Sequence, residues 1–164
     1  MNTVFLYQCC LAFLCARVIF CDFKHRKIPN SLLILFFLLF AGLRFVLGLQ
    51  HGLPLGVVSD WPQAGLGFVG GFIIFFPVWL GRQMGAADVK LIAVLGFALG
   101  WQAGLVVVLL GTALAGVHAL VLVLLPSLEQ KYGFALPGSR VKARSIPLGA
   151  WLAVALLGWL WMQF

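Results

Sequence analysis

Read for its pattern of apolar and polar positions, the chain is a series of long apolar runs separated by short polar breaks. Six runs can be drawn, at about Thr3–Cys21, Asn30–Leu49, Ala64–Leu80, Asp88–Gly100, Gln102–Leu125 and Ile146–Met162. Most approach the ~20 residues that an α-helix needs to cross a hydrocarbon layer ~30 Å thick. The fourth is shorter, and only "GWQAG" parts it from the fifth, so that boundary is the least defined. Breakers and caps mark several ends. Pro126 closes the fifth run, and "SIP" opens the sixth, with Ser145 suited to the N-cap and Pro147 to the first turn. Asp60, in "SDWP", predicts a cap for the third run, and Pro77 predicts a kink inside it. The short alternating segments of a β-barrel are absent. The pattern therefore predicts an all-α, polytopic membrane protein, one domain over residues 1–164, with about six transmembrane helices.

Composition agrees with this reading. The chain is 63% hydrophobic and 9% charged, against about 25% charged for a soluble domain. Its net charge of +7 does not point to nucleic acid, because the basic residues sit between the apolar runs. Lys24, Arg26 and Lys27 follow the first run, Arg82 and Lys90 flank the start of the fourth, and Lys131, Arg140, Lys142 and Arg144 lie between the fifth and sixth. The alternate breaks hold none, and Arg17 and Arg44 fall inside runs. Such a bias places the basic side in the cytoplasm and predicts an N-out, C-out arrangement. No basic stretch precedes the first apolar run, which reads as a retained helix rather than a removable signal. Cys9, Cys10, Cys15 and Cys21 form no CxxC pair and read as small packed or lipid-facing residues. Gly67 and Gly71, then Gly96, Gly100 and Gly104, recur at a spacing of four, which lets membrane helices approach closely.

Only four residues are acidic. Asp22 ends the first run and Asp88 begins the fourth, both on the basic side. Asp60 lies on the other side, and Glu129 lies in the last basic break. Two readings fit the first pair. Asp88 is a candidate helix N-cap and Asp22 a loop acid paired with Arg26. Alternatively, two carboxylates at one depth converge, share a proton and activate water against a carbonyl. His25, His51 and His118 are scattered over different depths, so no metal cluster is visible, and no Ser or Cys has a nucleophile's partners. His118, inside the fifth run, reads as a packing or hydrogen-bonding residue.

Three stretches carry a family resemblance. "DFKHRKIPN" (Asp22–Asn30) resembles the first signature of type IV prepilin peptidases, an aspartate followed by basic residues and Ile-Pro-Asn. "GAADVKL" (Gly85–Leu91) is similar to their Gly-x-Gly-Asp-x-Lys signature, and "SIPLGAWLAVALLG" (Ser145–Gly158) resembles their C-terminal Ile-Pro and glycine stretch. The three occur in the family's order across nearly the whole chain. The resemblance implies a GxGD-type intramembrane aspartyl endopeptidase of the bacterial cytoplasmic membrane, needing no metal or other cofactor. Its substrates would be prepilins or pseudopilins, which pair a basic leader with an apolar helix. Asp22 and Asp88 match the family's catalytic aspartates; Gly85, Lys90, Pro29, Asn30 and Pro147 match motif positions.

Two departures matter. Ala87 stands where the motif has its second glycine. If that turn needs a positive φ, alanine impairs it; if the glycine serves only packing, one methyl is accepted. The sequence leaves both open. Larger members also carry a cytoplasmic insert with paired CxxC motifs and methylate the mature pilin. The first loop here is too short for such an insert, so the chain resembles the short form of Flp or tight-adherence pilus systems, which cleaves without methylating. Membrane lipids are the other implied partners, and nucleic acid is not. The alternatives to an active peptidase are an inactive scaffold of a pilus machine, motivated by Ala87, and a small proton-coupled carrier. A carrier would want its acid near the membrane midplane.

Overall fold

A computed structural model describes residues 3–25, 28–49, 60–132 and 147–162. The described residues form six α-helices and no strand: α1 Thr3–His25, α2 Asn30–Leu49, α3 Trp61–Leu80, α4 Ala86–Leu99, α5 Trp101–Tyr132 and α6 Leu148–Trp161. Three segments are long and apolar enough to cross a membrane, namely Phe5–Lys24, Trp61–Leu80 and Trp101–Leu124. Shorter apolar stretches occupy Asn30–Val46 and Leu148–Trp161. Large apolar side chains cover the outside: Ile73 and Ile74 on α3 are 62% and 64% exposed, and Leu109 and Val117 on α5 are 60% exposed. A surface of this kind requires an apolar solvent, and the protein is a membrane protein.

The helix ends refine the sequence reading. α1 continues one turn past Cys21, so Asp22 lies within the helix rather than in a loop. Lys24 supports this extra turn by lying over the Phe20 ring four residues back, 5.1 Å from its centroid. Asp60 occupies the N-cap of α3, and its carbonyl accepts the Ala64 N–H at 2.9 Å, but its side chain makes no cap bond. The second helical residue is Pro62, which has no N–H to offer that carboxylate. α3 runs through Pro77. Pro126 does not close α5, which continues to Tyr132; a proline removes one helical hydrogen bond, and membrane helices tolerate that loss. Pro147 holds the N-cap position of α6 rather than its first turn. Ser145 lies outside the described residues.

α4 and α5 are joined through a single residue. Gly100 has φ 83°, a region that side chains disfavour. Its N–H donates to the Gly96 carbonyl and its carbonyl accepts the Gly104 N–H, both at 2.9 Å, so one glycine ends one helix and starts the next. α4 is the centre of the bundle, packed by α2, α3, α5 and α6, and every residue from Leu91 to Gly100 is buried.

Two features seal that centre. Gly67 of α3 and Gly96 of α4 meet backbone to backbone, and a Cβ on either would collide with the other's carbonyl. Gly104 joins them, a Cβ there lying 3.2 Å from Gly96 Cα. The spacing of these glycines thus serves close helix approach, as read from the sequence. At the α4 C-terminus the last carbonyls have no intrahelical donor. Arg44 of α2, 2% exposed, donates from Nη2 to Phe97 O at 2.8 Å and Ala98 O at 3.0 Å. The Tyr7 hydroxyl of α1 donates to the same Ala98 O at 2.6 Å.

The other polar and sulfur groups fit packing roles. Trp151 Nε1 donates to His118 Nδ1 at 2.9 Å, tying α6 to α5. Cys15 and Cys21 are buried, Cys10 half-buried and Cys9 exposed, all as free thiols.

Gly96→Ala and Gly67→Ala are each expected to destabilise the protein by about 2–3 kcal/mol through overpacking. Gly65→Ala, with nothing within 4 Å of its added Cβ, is expected to be neutral. Thermal melts of the purified protein in detergent check this; equal melting temperatures for Gly96→Ala and Gly65→Ala would contradict the close contact.

Candidate active site

Asp22, in the last turn of α1, is 7% exposed although it is an acid. Its Oδ2 accepts the Ala150 N–H at 2.8 Å. Ala150 is the third residue of α6, whose N-cap is a proline with no side-chain acceptor. The open N–H of a helix's first turn is therefore satisfied from another helix. Asp88 is the third residue of α4 and half-buried. It is not the N-cap, which is Gly85 with extended backbone (φ −70°). Instead, the Asp88 carboxylate turns back toward Gly85, where a built Cβ would lie 2.9 Å from its Oδ2. Each acid thus sits at the N-terminus of a helix, where the dipole favours negative charge.

The two acids converge over α6. A Cβ built on Gly149 would lie 3.1 Å from Asp22 Oδ2 and 3.3 Å from Asp88 Oδ1. Ile28, buried in the turn before α2, reaches the same point with its Cδ1 at 2.8 Å. Asp22 and Asp88 line one cavity of about 710 Å³. The turn from Arg82 to Gly85, the small residues Ala115, Gly116 and Ala119 of α5, and Pro147 with Leu148 complete it. The small α5 residues leave the room, while Arg82 and Gln83 give the wall polarity. Arg82 has φ 56°, the only positive φ of a non-glycine among the described residues. It holds the left-handed position that ends α3, with the Gln83 N–H donating to Val78 O at 3.1 Å.

The other motif residues hold the frame. Lys90 Nζ donates to Asn30 Oδ1 at 3.1 Å, joining the first signature to the second. These two line a separate apolar cavity of about 330 Å³ between α2, α3 and α4, away from the acids. The Pro29 carbonyl accepts the N–H groups of Leu32 and Leu33 at 3.1 and 3.4 Å and starts α2. Ala87 lies inside α4 without a positive φ and packs against the core. The backbone here asks nothing of residue 87 that only glycine provides.

Asp60 is exposed at the far end of α3 from the cavity, while the side chains of Arg26, His25, His51 and Glu129 lie outside the described residues. No group of three or more His, Cys, Asp or Glu that could hold a metal occurs among the described residues. Sequence reasoning did not single out Ile28, Gly149 or Ala150. Gly149 and Ala150 fell within a quoted motif, but nothing in the pattern signalled that α6 begins against the acids.

This arrangement, an acid pair on apolar helices, is one that hydrolases use to activate water. Residues 9–120 match the type IV leader peptidase family, and the chain belongs to that family. It is 31% identical over 157 residues to a prepilin leader peptidase/N-methyltransferase of Aeromonas salmonicida strain A449. A protein of the same name from Aeromonas salmonicida gives the same identity. The match covers 92% of this chain and 46% of the relative, so the chain spans about half the length of the curated relatives it matches. No solved structure matches it.

Ala87→Gly is expected to lower stability slightly, by up to about 1 kcal/mol, because glycine is the poorer helix former. A melting temperature that rises on this substitution would show that the methyl group is strained at the motif position.

Proposed function

We propose that the protein is an aspartic endopeptidase that removes the leader from prepilins or pseudopilins, with Asp22 and Asp88 acting as one unit. The convergence of the two carboxylates over Gly149 carries this reading, and membership of the leader peptidase family supports it. One carboxylate is ionised and the other protonated. The ionised acid takes a proton from water as the water oxygen attacks the scissile carbonyl carbon. The protonated acid gives its proton to the carbonyl oxygen. Collapse of the tetrahedral intermediate breaks the C–N bond: the proton taken from water goes to the leaving amine, and a hydroxyl of the intermediate returns its proton to the acid that had given one up. The acids end with one proton between them, as they began. No metal and no covalent intermediate is needed.

The substrate's form suits the site. Its scissile bond joins a basic leader to an apolar helix, so it lies where water meets hydrocarbon. The end of α1 and the start of α4 bring the acids to that level, beside the turn that carries Arg82. With six spans and the basic side inward, this end of the bundle faces the cytoplasm of a bacterial inner membrane. The short connection from His25 to Asn30 leaves no room for a second domain there. This supports cleavage without methyl transfer.

Asp22→Asn and Asp88→Asn are each expected to reduce leader removal by on the order of 10³-fold or more, and the double variant by no more than either alone. Asp60→Asn is expected to retain cleavage. Coexpression with a candidate prepilin and a gel shift for the shortened product measures this. Asparagine keeps the shape and an acceptor oxygen of aspartate, so a purely structural Asp88 would leave Asp88→Asn active.

Reporter fusions test the orientation. A fusion at Gln50 is expected on the outer side and one at Gly138 in the cytoplasm. Both on one side would separate the acids from the proposed substrate.

A further inference from the structure

We infer that Gly149 is a positioning residue for hydrolysis: its missing side chain lets Asp22 and Asp88 close over the first turn of α6. This inference rests on the aspartic peptidase reading above. Three groups crowd the place a Cβ would take: Ile28 Cδ1 at 2.8 Å, Asp22 Oδ2 at 3.1 Å and Asp88 Oδ1 at 3.3 Å. Backbone freedom is not what selects glycine here. Gly149 is helical, and Gly100 is the only described glycine with a positive φ. What selects it is the company above it.

The three neighbours differ in how easily they move. Ile28 presents the far end of a flexible side chain, which another rotamer removes at small cost. Asp22 Oδ2 cannot retreat so simply, since the N–H of Ala150, the next residue, holds it at 2.8 Å. Moving it off a methyl at 149 would stretch that bond. Asp88 is crowded from its own side by Gly85, where a built Cβ would lie 2.9 Å from its Oδ2. A methyl at 149 therefore acts as a wedge under both carboxylates. Two acids that share one proton and grip one water depend on their spacing, and a misplacement of about 1 Å at such sites can cost on the order of 10²-fold in rate. The same α6 turn thus does two jobs: Ala150 pins one acid, and Gly149 leaves the gap in which the second meets it.

The test is Gly149→Ala in the full-length protein, assayed with a purified prepilin in detergent or liposomes. kcat is expected to fall by about 10²-fold while KM stays within about threefold, because the cavity walls that take the substrate are untouched. Gly158→Ala, on the same helix with nothing within 4 Å of its added Cβ, is expected to keep full kcat. The double variant Ile28→Ala/Gly149→Ala removes the tightest apolar contact, so it folds even if Gly149→Ala alone does not. Its kcat is expected to stay about 10²-fold below that of Ile28→Ala. Recovery of the double variant to the Ile28→Ala rate would overturn the inference, since Gly149 would then serve only to fit Ile28. So would a Gly149→Ala protein with wild-type kcat. Activity in Asp22→Asn or Asp88→Asn would instead overturn the peptidase reading itself, and the two failures are told apart by which variant keeps cleaving.

Discussion

Helix α4 ends where there is no water. Its last ten positions, through Gly100, are buried, and the carbonyls of its final turn still need donors. A buried carbonyl left unmet costs about 1–3 kcal/mol. Arg44 and Tyr7 meet those of Phe97 and Ala98 from two other helices. Arg44 is itself a costly guest in an apolar interior. The negative end of the α4 dipole, two carbonyls and the face of the Phe97 ring 5.4 Å away offset that cost. α4 can therefore be short. Its 14 residues rise about 21 Å, and its other end reaches the level where α1 finishes. The height of Asp88 beside Asp22 follows from where the buried end of α4 is anchored.

At that other end the same physics works with opposite sign. Helix N-termini carry spare N–H groups and a positive partial charge. Asp88 lies in the first turn of α4, and α6 turns its Ala150 N–H onto Asp22. Two carboxylates brought together resist the ionisation of both, and the two helix ends that favour negative charge there are already fixed in direction. This preorganisation lets the acids stay close in a site whose remaining walls are largely small or apolar.

The helices were legible because they depend on local pattern. Apolar runs set the six helices to within a few residues at most ends, and the positions of Asp22 and Asp88 at run edges pointed to one level. Glycine spacing indicated close packing for the same reason. What escaped the sequence depends on contacts between distant segments. Arg44 read as a basic residue stranded in a run, because its acceptors are more than fifty residues away. Asp60 read as a side-chain cap, but it holds the N-cap position with no side-chain bond, and the proline two residues on offers one donor fewer. Pro126 read as a stop, and α5 passes through it. Ala87 raised a doubt that only the backbone angle could answer.

The Asp22–Ala150 hydrogen bond spans 128 positions. Asp22 is therefore made 128 positions ahead of its seat. Asp22 and Asp88 both enter the membrane before the turn that gathers them exists. Until α6 docks, Asp22 lacks its Ala150 N–H, and nothing from that helix sets the spacing of the two acids. The ordering of the chain thus acts as a timer, withholding the assembled pair until α6 is in place.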